Sequence, residues 1–215
     1  MKGLCNLEVI FSVKINKGML IIVSGPSGAG KDTVLSKILE KRNDINLSIS
    51  YTTRLPRIGE VNGKDYNFIS RDEFKKIIDD GGMIEYACYC ENYYGTPKLE
   101  VEKSINSGKS VVLEIEVQGA EQIIKKCPDA VSIFIVPPSL NELRKRLENR
   151  ALDSSEIVNK RVLEAEKEIA LAKNYDYIVI NENLDSCVED VCKIIDSEYM
   201  KSSRMGYIIK EELGE

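Results

Sequence analysis

The 215-residue chain contains no histidine. That removes Ser-His and Cys-His nucleophilic pairs, imidazole acid–base chemistry and histidine metal sites together. Phosphoryl transfer survives the exclusion, because it rests on positioning and cationic charge rather than on a titrating base. The six cysteines include no CxxC pair, and no histidine can complete a zinc set, so they read as reduced, buried side chains of a cytoplasmic protein. No apolar run is long enough to cross a membrane. Val9 to Val13 is too short for a signal-peptide core, and no small-residue cleavage site follows it. Internal repeats, low-complexity tracts and long linkers are also lacking. A net charge of −5 argues against a broad nucleic-acid-binding face, though a local basic cluster can still hold a phosphate.

What remains suits a soluble globular chain with one core and inserts, with 43% apolar and 30% charged residues. Met19 to Ser24 is a continuous apolar run, the pattern of a buried parallel strand. Ser110 to Glu116, Ala130 to Val136 and Tyr177 to Ile180 repeat it, with helical patterns between, one from about Lys31 to Lys41. The fold class is therefore α/β, a parallel sheet flanked by helices, and the Gly25 to Lys31 loop after its first strand makes that sheet P-loop NTPase-type. Capping-box spacing marks three helix starts: Ser70…Glu73, Ser139…Glu142 and, more loosely, Asp153…Glu156. The segment 50–97, rich in Tyr, Gly, Arg and Thr, interrupts the α/β rhythm and reads as an insert. Residues 139–161 form a second, helical insert. The core is then 18–49, 98–138 and 162–199. Residues 1–17 are either an added edge strand or a disordered lead, and 200–215 either a docked helix or a loose tail.

Gly25-Pro26-Ser27-Gly28-Ala29-Gly30-Lys31 follows a buried strand and opens a helix, the context a phosphate-binding loop requires. Glycines let successive backbone N–H groups curl around a β-phosphate, the helix start adds partial positive charge, and Lys31 reaches the β/γ oxygens. The Ser/Thr that usually follows the lysine and binds Mg²⁺ is replaced by Asp32, with Thr33 one position on. Successive helical side chains point about 100° apart, so Thr33 is no automatic substitute.

Four further segments carry a resemblance. Ser48 to Phe68, with its Ser50-Tyr-Thr-Thr-Arg54-x-x-Arg57 block, closely resembles the signature of the guanylate kinase family. So do Ile84-Glu85-Tyr86-Ala87, Tyr94-Gly95-Thr96 and Leu113-Glu-Ile-Glu116-Val-Gln-Gly119, and Arg146…Arg150…Arg161 is similar to that family's lid. The match runs from about Gly18 to Cys192. It implies transfer of the γ-phosphate of ATP to GMP or dGMP, with Mg²⁺, in purine nucleotide metabolism. Insert 50–97 becomes the GMP-binding part and 139–161 the lid.

Residue by residue, the resemblance implies that Arg54, Arg57, Tyr66 and Tyr94 hold the GMP phosphate, a dianion that two guanidinium forks and two hydroxyls suit. Glu85 reads the base, helped by Ser50, Thr96 and Glu116: one carboxylate can accept both N1–H and the 2-amino group of guanine, which adenine cannot offer. Arg150 and Arg161, eleven residues apart, meet the transferring phosphoryl group beside Lys31 and Arg57. Arg146 and Asn181 lie on the adenine side. Mg²⁺ is held mainly by phosphates and waters, with Asp32, Thr33 or Glu114 nearby. Glu114 and Glu116, both counted by the resemblance among the GMP-binding residues, stand where many members of the family have Asp.

Three competing readings are weaker. Glu116-Val-Gln-Gly119 faintly resembles the Asp-x-x-Gly of P-loop GTPases, but no Asn-Lys-x-Asp exists in the chain. A peptide-binding scaffold module would typically have lost the P-loop. A sugar-phosphate kinase would need neither the Tyr-rich insert nor Glu85.

Overall fold

The structure is a computed structural model that describes residues 17–89, 91–149 and 154–206. The elements run in chain order: β1 (Leu20–Ser24), α1 (Lys31–Lys41), β2 (Ile45–Leu47), β3 (Tyr51–Thr52), β4 (Asn67–Phe68), α2 (Arg71–Asp79), β5 (Met83–Tyr89), β6 (Asn92–Pro97), α3 (Lys98–Asn106), β7 (Ser110–Glu114), α4 (Val117–Lys126), β8 (Val131–Val136), α5 (Leu140–Glu148), α6 (Ser155–Ala170), β9 (Tyr177–Ile180) and α7 (Leu184–Tyr199).

Among the described residues a five-stranded parallel sheet has the order β2-β7-β1-β8-β9. The continuous apolar runs of β1, β7 and β8 follow from burial on both faces. On one face Ile21, Val23, Val112 and Ile133 pack with Val34, Leu35 and Ile38 of α1 and Val188, Val191 and Ile195 of α7. On the other, Ile22, Val111 and Leu113 pack with Val101 of α3 and Ala120 and Ile123 of α4. Each fully buried aliphatic side chain contributes about 1.5–3 kcal/mol. β1 is central, so its carboxyl end delivers the Gly-rich loop to the crevice where open α/β sheets bind ligands.

Residues 50–97 build a second sheet of order β4-β3-β6-β5, with α2 packed on it. Ser70 caps α2 in a complete capping box with Glu73. Ser139 accepts from the Glu142 amide at the start of α5. The third expected box is displaced by one residue. The cap of α6 is Ser154, which accepts from the Ile157 amide, so Asp153 is not the capping residue and itself lies outside the described residues. A hydroxyl one position nearer the helix meets the third helical amide directly.

The segment 139–161 holds α5 and the first part of α6, which runs unbroken to Ala170. Leu143, Leu147, Val158, Val162 and Ala165 form a small core between these two helices. Within 200–206, residues 202–206 are helical, and Arg204 donates to the Asp129 carbonyl at 2.7 Å. Cysteine burial was over-read. Cys187 is buried, but Cys88 is exposed, because β5 is an edge strand of the insert sheet with one face in solvent.

Candidate active site

Glycine is demanded by geometry at both ends of the phosphate loop. Gly25 passes so close to β8 that a Cβ would stand 2.1 Å from the Ile135 carbonyl oxygen. Gly30, the N-cap of α1, has φ +90°, a left-handed conformation that favours glycine. Lys31 turns back over the loop, donating to the carbonyls of Gly25 (2.7 Å) and Pro26 (3.4 Å). A small polar cavity of about 70 Å³ is lined by Ser27, Gly28, Gly30, Lys31, Asp32 and Thr33, and Ala29 is buried beneath it.

Three contacts gather other expected residues around the loop. The Asn181 side chain, buried at the end of β9, donates to the Ala29 carbonyl at 2.7 Å. Arg146 donates to the Asn181 carbonyl at 2.9 Å. Arg161 donates to Ser27 Oγ at 2.6 Å. Arg150 lies outside the described residues.

Glu114 ends β7, paired in register with Val23 of β1, so its carboxyl faces the start of α1. Burial, and a hydrogen bond with Asp32, push Glu114 up to about 8. At neutral pH the pair therefore shares a proton. The resemblance puts both acids near the metal, but their direct contact is not written in local pattern, because it depends on the crossover that brings β7 beside β1. Glu168 on α6 was missed altogether: burial, then the charge of Glu116, push it up to about 7, with Lys31 opposing. No motif marks it; its weakened acidity comes from burial and from the Glu116 charge, which the fold brings near it.

The insert assembles the remaining residues. Arg54 forms a bidentate pair with Glu60 (2.8 and 2.9 Å), and its guanidinium lies over the rings of Tyr66 (5.4 Å) and Phe68 (5.7 Å). Tyr66 and Tyr94 meet edge to face at 6.0 Å. Glu60 also accepts from the Arg57 amide at 2.7 Å, fixing the turn between the two arginines. The Arg57 side chain is exposed and pairs with no carboxylate among the described residues. Glu60 stood inside the signature segment without a role assigned to it.

Glu85 sits where the β5–β6 register shifts, between Met83 and Tyr86, and the irregularity turns its side chain inward. It is 4% exposed, accepts from Thr96 Oγ1 at 2.7 Å, and is pushed upward by burial, with Thr96 and Lys126 opposing. Ser50, half-buried, precedes β3, and exposed Glu116 is the N-cap residue of α4. The structure thus brings the candidate residues together in two groups: one around the P-loop, at the carboxyl ends of β1 and β7, and one in the insert.

The guanylate kinase family profile matches residues 17–198. The chain belongs to the guanylate kinase family. It is 48% identical over 201 residues to the guanylate kinase of Latilactobacillus sakei, covering 93% of this chain and 99% of that one. It is 50% identical over 189 residues to the guanylate kinase of Lactococcus lactis, covering 88% and 92%. The crystal structure of guanylate kinase from Anaplasma phagocytophilum superimposes with a TM-score of 0.74 at 36% identity, covering 88% of this chain and 90% of that one. Guanylate kinase family membership makes the chain a nucleoside monophosphate kinase, phosphorylating GMP to GDP with ATP. No helix among the described residues is long and apolar enough to cross a membrane.

Proposed function

We propose that guanine selection in this kinase rests on Glu85, that dGMP is used as well as GMP, and that the metal is Mg²⁺. The observation carrying this reading is a carboxylate 4% exposed, with Thr96 holding one oxygen and no cation bonded to it among the described residues. Such a group is costly to bury unless a ligand completes its hydrogen bonds. Two parallel donors on a base edge would do so, with Ser50, Thr96 and Glu116 around it.

In the proposed reaction Arg54, Arg57, Tyr66 and Tyr94 hold the GMP phosphate. One of its oxygens attacks the γ-phosphorus of ATP, and the bond to the β-phosphate oxygen breaks, releasing ADP. The P-loop amides of residues 25–33 and Lys31 hold the donor phosphates. Arg146 and Asn181 flank the adenine. Arg150 and Arg161 stabilise the charge spread over the γ-oxygens in flight. Insert 50–97 and segment 139–161 are the parts that close over the substrates, and the enzyme works in the cytoplasm.

The donor set fits a hard divalent ion: Asp32 and Glu114 are oxygen ligands beside the phosphate loop, with Thr33 adjacent. No group of three or more candidate ligands occurs among the described residues, so phosphates and waters would complete the coordination. The ion would supply charge neutralisation at the β/γ oxygens. The test is a coupled assay offering GMP, dGMP, AMP and CMP with Mg-ATP, alongside Glu85→Gln. GMP and dGMP should turn over and AMP barely react. The variant should lose roughly 10- to 100-fold in kcat/KM for GMP. Comparable use of AMP, or unchanged GMP kinetics in the variant, would place base selection elsewhere.

A further inference from the structure

The segment Leu113 to Gly119 ends in a glycine that the proposed chemistry does not use. Gly119 is the third residue of α4 and is buried. It is not among the glycines with positive φ, so its backbone does not require glycine. In a helix, glycine costs about 0.5–1 kcal/mol relative to alanine.

The reason lies across the helix. A Cβ at Gly119 would stand 2.4 Å from Glu85 Oε2, 3.0 Å from its Cδ and 3.7 Å from its Cγ. The first distance is far inside van der Waals contact. The atoms met belong to a side-chain end and not to backbone, so relief comes from moving the carboxylate while the fold stays. The helix is not placed to swing away. Gln122 donates to the Tyr86 carbonyl at 2.9 Å, and Lys126 to the Ile84 carbonyl at 3.3 Å. These two bonds clamp α4 to β5 on both sides of Glu85. On its other flank Thr96 fixes Oε1 at 2.7 Å.

We propose that Gly119 is a specificity-determining residue: its missing side chain is the space into which the Glu85 carboxylate is seated. This rests on the reading of Glu85 as the base-selecting group. A carboxylate pushed off this seat could no longer align both oxygens with N1–H and the 2-amino group. Its ability to tell guanine from hypoxanthine, which lacks the 2-amino group, would fall.

The experiment compares Gly119→Ala, Glu85→Asp, the double variant and Glu85→Gln, measuring kcat and KM for GMP, IMP and ATP together with Tm. Gly119→Ala should fold with Tm unchanged or raised, keep its KM for ATP, lose at least about 10-fold in kcat/KM for GMP, and lose much of its preference for GMP over IMP. In the double variant the shorter carboxylate clears the new methyl group. It should therefore recover part of that preference relative to Gly119→Ala, whereas Glu85→Asp alone should not improve on wild type. Wild-type GMP kinetics in a folded Gly119→Ala would overturn the inference. So would failure of both Gly119→Ala and the double variant to fold, since helix packing would then be what demands the glycine. Unchanged GMP kinetics in Glu85→Gln would instead overturn the reading of Glu85 itself, whatever Gly119→Ala does.

Discussion

Arg161 reaches from α6 to Ser27, tying a helix of the second insert to the phosphate loop through a 2.6 Å hydrogen bond. A guanidinium with a neutral hydroxyl among its partners gains more from an anionic phosphoryl oxygen in the same place. Arg161→Ala should lower kcat by up to about 10³-fold, much more than it raises either KM. Arg150→Ala should behave alike. Steady-state kinetics varying each substrate in turn decide the matter. Full kcat with weakened ATP binding would mean that these arginines only dock the nucleotide.

The two arginines of the insert should separate in kinetics. Arg54 is held by Glu60, whereas Arg57 contributes an exposed fork. Glu60→Gln should raise the KM for GMP by about 10-fold with little change in kcat, because it loosens the fork without removing it. Arg57→Ala should raise that KM and lower kcat as well. The guanidinium of Arg54 and the Arg57 amide hold Glu60 down to about 2, so its effect should be constant from pH 6 to 9. A KM effect that grows or fades across that range would disprove the pairing in solution.

The Asp32–Glu114 pair predicts an unusual stability profile. The folded protein holds the Glu114 proton up to about pH 8, whereas an unfolded glutamate releases it near 4.5. Stability of the nucleotide- and metal-free protein should thus be greatest on the acid side of this window, fall as pH rises from about 4.5 to 8, and level off above it. Glu114→Gln should remove the Glu114 share of that dependence while Glu168 and Glu85, also raised, keep theirs, leaving the variant about 1–3 kcal/mol more stable than wild type at pH 8.5 and similar at pH 5, after discounting for solvent around exposed Asp32. Urea unfolding at the two pH values measures it. Asp32→Ser should lower the pH at which Glu114 titrates and keep activity, because the hydroxyl takes the place of the carboxylate as an oxygen donor beside the phosphates. A folded but inactive variant would show that the carboxylate has a specific task at the nucleotide.

Much of the central sheet was legible in the sequence because its strands are continuous apolar runs, those of β1, β7 and β8 buried on both faces and that of β9 apolar although Ile178 and Ile180 are exposed at the sheet edge. Leu20 to Ser24, Val131 to Val136 and Tyr177 to Ile180 announce themselves as apolar runs. Ile45–Leu47 does not, since three residues with Asn46 in the middle carry no period. The insert sheet was harder still: β3 and β4 are two residues each, and β6 reads Asn-Tyr-Tyr-Gly-Thr-Pro. Within the site, Lys31, Arg57 and Glu85 could be named from motif and chemistry. The partners that tune them could not. Glu60 beside Arg54 is set by a loop turn, and the Asp32–Glu114 hydrogen bond and Gly119 beneath Glu85 by where separate elements meet.

The insert is thinly cored. Between residues 50 and 97, Phe74, stacked on Tyr93 at 5.5 Å, is the one buried large hydrophobic among the described residues, and Thr52, Glu85 and Thr96 are its buried polar companions. A sheet so poor in apolar burial has little stability of its own, and its amides should exchange with solvent well before those of β1, β7 and β8. A purine settling beside Glu85 and the tyrosines would supply the aromatic mass that the chain omits there. The substrate then behaves as a borrowed core residue. Saturating GMP should slow exchange across β3, β5 and β6 by the free energy of its own binding, while the central sheet hardly changes. Uniform slowing across both sheets would mean that the insert and the core unfold as one.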